Sequence, residues 1–130
     1  LGIMHDTTEI ITGDLPTPIK YYAPEIRDAY KKVENVAACQ LISELPEEMQ
    51  NAYEDILIEN DEINWKYVKA ADKMSAYIKC IEERNTGNTD FAKAEETIKK
   101  ALDEMHMEEI EKFIEMFLPA YTKTLDEISK

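Results

Sequence analysis

Four side chains able to bind a cation or move a proton fall within ten residues near the front of the chain. They are His5, Asp6, Glu9 and Asp14, in the stretch "IMHDTTEIITGDLPTPIKYY" at residues 3–22. Imidazole nitrogen and carboxylate oxygen together suit manganese, cobalt, iron or zinc, and a further carboxylate beside such an ion can take a proton from water. Neighbours on a helix point about 100° apart, so His5 and Asp6 share one ion only if it sits off the helix between them. Other elements must then supply the remaining ligands. Glu9 follows His5 by four residues and Asp6 by three, which puts it on the helical face of both. Each group also has a plainer reading: a helix-face histidine hydrogen-bonded to its neighbour, and an exposed glutamate.

A distant ligand is sought among the remaining acids. Asp72, in "VKAADKMSAYIKC", has Val68, Ser75 and Ala76 as face neighbours, all small or apolar. An aspartate facing a packed interior must be paired, hydrogen-bonded or metal-bound. The alternative is a local ion pair with Lys69, three residues back. His106, in "EMHMEE", reads as a surface residue beside a helix boundary. Lys20, just past the proline loop, is either a phosphate contact or a solvated loop lysine.

Charge narrows the ligand class. The 130 residues hold 15 basic and 28 acidic side chains, a net charge of −13. Such a chain repels nucleic-acid polymers and anionic membrane surfaces. A phosphate-bearing ligand is therefore expected to be small and bridged by a cation. Cys39 and Cys80 stand far apart in helical patterns, with no metal-cluster spacing. They read as reduced, buried thiols of a cytosolic protein. No apolar run approaches membrane-spanning length.

The elements that must position these groups are helices. Apolar residues recur at three- and four-residue steps and strand alternation is absent, so the chain is all-α, with five or six helices in one domain. The first is expected to run from before Leu1 to about Ile11, with Gly13 at its C-terminal cap. "LGIMHD" reads as mid-helix, which predicts further chain upstream. "GDLPTP" follows as a rigid loop, its two prolines excluded from helix. A second helix opens at Pro24 and carries Ile26, Tyr30, Val33, Ala37 and Leu41 on one stripe to near Leu45. A third spans Pro46 to about Glu59. The fourth, from about Asp61 to Arg84, is apolar on more than one face and is read as central: Ile63, Tyr67, Ala70, Met74, Tyr77 and Ile81, but also Trp65, Val68, Ala71 and Ile78. "NTGN" stops it. A fifth carries Phe91, Ala94, Ile98, Leu102 and Met105, and a last one carries Ile110, Phe113, Ile114 and Phe117 before Pro119.

"HDTTEIITGDLPTPIKYY", then "VKAADKMSAYIKCIEE", then "GN" with a phenylalanine shortly after and a closing "LDEIS", resemble the bacterial 5′-deoxynucleotidases of the HD-domain phosphohydrolase superfamily. The similarity runs over essentially the whole chain. It implies an HD-domain-like helical bundle over residues 1–130, with a metal and loop motif at 5–18 and a second metal segment at 65–83. One divalent metal ion, Co, Mn or similar, would be held by His5, Asp6 and Asp72. Glu9 would orient or activate the attacking water, and Asp14 would stand near the leaving oxygen. Leu15, Pro16 and Thr17 would line the substrate, with Asp6, Asp14 and Asp72 also contacting it. The implied substrate is a deoxyribonucleoside 5′-monophosphate, and the implied state a cytoplasmic homodimer. The family also carries an upstream half-domain with a first metal histidine and an arginine–tryptophan pair, so the bundle is expected to be N-terminally incomplete. Two other readings stay open: a non-catalytic helical dimerisation module from a truncated relative, and an HD hydrolase of another phosphorylated substrate.

Overall fold

The computed structural model describes residues 1–20, 22–58 and 62–128, with the side chains of Thr17 and Leu125 outside that description. The regular elements are α1 (Glu9–Thr12), α2 (Thr17–Lys20), α3 (Pro24–Ser43), α4 (Glu47–Leu57), α5 (Glu62–Asn85), α6 (Ala92–Glu104), α7 (Glu108–Tyr121) and α8 (Leu125–Ile128). No strand occurs among the described residues, as the apolar spacing predicts. The five helices from α3 to α7 are those legible in the pattern; α1, α2 and α8 have four residues each. The expected ends at Glu59 and Asp61 lie outside the described residues. None of the described helices is long and apolar enough to cross a membrane.

The chain divides into two compact units, Leu1–Val68 and Lys69–Lys130, with the division inside α5. In the first, α1, α2 and α4 each pack against α3. Pro24 opens α3 at a position that needs no N–H, after an extended Ala23. Its buried positions are Ala37, Ala38 and Ile42, a narrower and shifted stripe. Ile26 and Val33, expected inward, are exposed. Trp65 is buried, and its indole Nε1 has no hydrogen-bond partner among the described residues.

The second unit has a continuous core. Ala70, Met74, Tyr77 and Ile81 on α5 meet Leu102 on α6, Met107 at the joint and Ile110 on α7. Ile78, Ile98, Met105, Phe113, Ile114 and Leu118 pack around them. The four α5 positions follow steps of four, three and four, one helical face. Ile63 and Tyr67 are exposed, as is Ala71, so α5 is less apolar all round than its sequence suggests. "NTGN" ends α5 as expected: Gly87 takes φ 88°, and the Asn88 N–H returns to the Glu83 carbonyl at 2.9 Å. Arg84 at the end of α5 then pairs with Glu95 on α6 at 3.3 Å.

Two proline expectations are corrected. Pro18 lies inside α2 and Pro119 inside α7. Pro18 stands in a first turn, where no intrahelical N–H is required. Pro119 stands in the last turn of α7, where it forgoes the bond to the Glu115 carbonyl and only two helical residues follow. Cys80 is buried as expected, its thiol pushed up first by burial and then by the Glu95 and Glu83 carboxylates. Cys39 is exposed, which corrects the reading of two buried thiols.

Candidate active site around His5 and Glu9

The HD pair does not stand on a regular α-helix. Residues 2–8 form successive tight turns, with the Met4 N–H on the Leu1 carbonyl at 2.8 Å and the Thr7 N–H on the Met4 carbonyl at 3.1 Å. The Thr7 hydroxyl donates back to Met4 O at 2.7 Å. α1 begins only at Glu9, so the expected long first helix is reduced to one turn. Gly13 ends it with φ 68°, and its N–H caps the Glu9 carbonyl at 2.9 Å. That part of the reading holds, because this φ is easy only for a residue without a β-carbon.

His5 is oriented by its own turn. Its Nδ1 lies 2.7 Å from Gly2 O, and a carbonyl only accepts, so Nδ1 carries the proton. In the neutral ring Nε2 is then an acceptor, and Asp6 Oδ1, a second acceptor, lies 3.2 Å away. Two acceptors at that separation suit a shared cation. A ring anchored through one nitrogen to a carbonyl, with the other free, is the usual arrangement of a metal-ligating histidine. His5 and Asp6 thus fit two ligands of a divalent cation. Among the described residues no group of three His, Cys, Asp or Glu side chains gathers.

Glu9 is half-buried behind the pair. Burial, then the Asp6 and Asp14 carboxylates, hold its carboxyl above the ordinary value; the Lys20 ammonium opposes them and Glu34 adds to them. A carboxylate held upward in this way is a better proton acceptor than a free one. Asp14 is exposed on the loop of residues 13–16, Leu15 is half-buried and Pro16 is exposed. Pro16 O accepts the Ile19 and Lys20 N–H groups at 2.8 and 3.0 Å, which turns the loop into α2. The Thr17 side chain lies outside the described residues.

Lys20 is neither a solvated loop lysine nor free for phosphate. Its ammonium bonds Glu34 Oε1 at 2.9 Å and lies 4.8 Å over the Tyr30 ring. Tyr30 and Glu34 were missed as site residues, Tyr30 being absorbed into an apolar stripe. The available signal was its hydroxyl, which needs a partner when a tyrosine is half-buried.

Asp72 stands on α5 in the second unit and is exposed, with Ser75 and Ala76 also exposed. This corrects the packed face read from its neighbours: the apolar stripe of that helix runs through Ala70, Met74 and Tyr77. His106 is exposed, as expected.

The family model described as 5′-deoxynucleotidase YfbR-like matches residues 1–121. A 5′-deoxynucleotidase of Photobacterium profundum is 46% identical over 131 residues, covering 99% of this chain and 68% of that protein. One from Vibrio cholerae gives the same identity and coverage. A third, from Erwinia tasmaniensis, is 42% identical over 100% of this chain and 67% of its own length. The chain thus spans about two thirds of the length of these relatives.

Proposed function

Because the chain belongs to the 5′-deoxynucleotidase YfbR-like family, we propose that it hydrolyses deoxyribonucleoside 5′-monophosphates to the nucleoside and phosphate. The observation that carries the reading is the meeting of His5 Nε2 and Asp6 Oδ1 at 3.2 Å in a chain of this family. One divalent cation, Co, Mn or similar, belongs to His5 and Asp6. Asp72 joins them as ligand through the sequence motif alone. When bound, the cation offsets charge on the phosphoryl oxygens and acidifies the water that attacks.

The chain's own groups account for the rest. Water adds to phosphorus and the bond from phosphorus to the 5′ oxygen breaks. Glu9 takes the proton the water loses, a role supported by its half-burial among other acids. Asp14 is assigned beside the leaving 5′ oxygen, to which it would pass a proton as the bond breaks, the proton given up to Glu9 restoring the balance, and Leu15, Pro16 and Thr17 to the sugar and base. Asp6, Asp14 and Asp72 are the acids nearest substrate in this scheme. The net charge of −13 favours a cation between the protein and a phosphomonoester. The single HD-type domain over residues 1–130, the cytoplasmic location and the homodimer belong to the same proposal.

Asp72→Asn tests the ligand set. The expected result is loss of metal-dependent phosphate release with the far-ultraviolet circular dichroism spectrum unchanged. Full activity in Asp72→Asn would remove Asp72 from the site.

A further inference from the structure

One side chain, Tyr30, holds the start of the loop that presents Asp14 and touches the last residue of the helix that follows it. The loop leaves α1 at Gly13 and enters α2 at Thr17. At its start, the Tyr30 hydroxyl donates to Gly13 O at 2.8 Å. Past the loop, at the end of α2, the Lys20 ammonium lies on the face of the same ring, 4.8 Å from its centre. Glu34, one turn further along α3, bonds that ammonium at 2.9 Å. The Thr12 hydroxyl donates to the same Gly13 carbonyl at 2.8 Å, and the two hydroxyl oxygens stand 3.4 Å apart.

The geometry has a direct consequence for Asp14. The peptide unit is planar, so the Gly13 carbonyl oxygen, the Asp14 nitrogen and the Asp14 Cα lie in one plane. Fixing that oxygen fixes where the Asp14 backbone starts. Gly13, at φ 68°, has wide conformational freedom and does not fix it unaided.

We propose that Tyr30 is a positioning residue, holding the start of the 13–16 loop through the Gly13 carbonyl and so setting where Asp14 is presented. The inference rests on the role given to Asp14 above. Tyr30 touches neither substrate nor metal in this scheme; it acts through the Gly13 carbonyl.

Tyr30→Phe is the test, because it removes the hydroxyl and keeps the ring under Lys20. Two readings are taken on the full chain: kcat and KM for deoxyribonucleoside monophosphate with Mn²⁺, and the NMR carbonyl signal of Gly13 with the amide and Cα signals of Asp14. The expected result is a kcat lower by about three- to tenfold at nearly unchanged KM, in a protein that stays folded with a melting temperature lower by no more than a few degrees. The Gly13 and Asp14 signals move, and Thr12→Val moves them again in the double variant. Unchanged kcat in a folded Tyr30→Phe protein overturns the inference. If the unaltered chain releases no phosphate, the proposed hydrolase reading fails, and the Asp14 amide and Cα signals then decide the clamp. Unmoved Asp14 signals overturn it and shifted ones sustain it.

Discussion

Leu102→Ala offers a calculable test of the packing in the second unit. Leu102 is 1% exposed and lies among Ala70, Met74, Tyr77, Ile81, Met107 and Ile110. The change removes three carbons from a site with no solvent access. At about 0.8 kcal/mol per buried methylene, the transfer loss alone is roughly 2.4 kcal/mol. Collapse into the space is limited because its walls come from α5, α6 and α7, and Ile81 beside it is also 1% exposed. A residual cavity therefore adds to the loss, for a total of about 3–5 kcal/mol. Urea unfolding followed by circular dichroism measures this, with Met116→Ala as control. Met116 is 68% exposed and its truncation should change stability by no more than about 0.5 kcal/mol. A Leu102→Ala loss under about 1 kcal/mol, or one equal to the control, would refute the core assignment.

Glu9→Gln should separate stability from activity. The carboxyl of Glu9 is held above its ordinary value in the folded chain, so its ionised form opposes folding. That opposition is absent below the unfolded value near 4.5 and complete once pH exceeds the raised folded value. Glu9→Gln is therefore expected to melt higher than the unaltered protein at pH 7 in chelator, with the difference closing below the unfolded value. It should also lose on the order of a hundredfold or more in phosphate release, the usual contribution of a positioned base. A Glu9→Gln protein that melts lower at pH 7 would contradict the electrostatic account. His106 carries φ 48° at the joint of α6 and α7, a shape that suits glycine and disfavours branched side chains. His106→Gly should match or exceed the unaltered protein in melting temperature, while His106→Val should lose about 1–2 kcal/mol. The reverse order would show that the joint is not in this conformation.

Much of the helical layout was legible because amphipathic periodicity and end signals act locally. Pro24, Gly13 and "NTGN" mark their boundaries for reasons contained in one or two residues. The short elements were not legible, since a four-residue helix carries too few positions to show a period. Pro18 misled because the rule against proline spares a helix's first turn, and Pro119 because α7 runs two residues past it despite the bond it forgoes. Asp72 was read as facing inward from small neighbours, but Ser75 and Ala76 are equally at home in water, so size alone does not orient a face. The site fared similarly. His5, Asp6 and Glu9 stand out by type and spacing, yet the spacing argument assumed a regular helix where the chain makes tight turns. The His5 bond to Gly2 O, which exposes Nε2 to Asp6, depends on that turn. The links from Tyr30 to Gly13 and from Lys20 to Glu34 join residues 14 or more positions apart, and no local pattern announces them.

The most direct measurement is phosphate release by this chain from a panel of deoxyribonucleoside and ribonucleoside 5′-monophosphates, with Co²⁺, Mn²⁺ or chelator. Release from the deoxyribonucleotides that requires the cation is the expected result. Cation-independent release, or none from any deoxyribonucleotide with either metal, would contradict it.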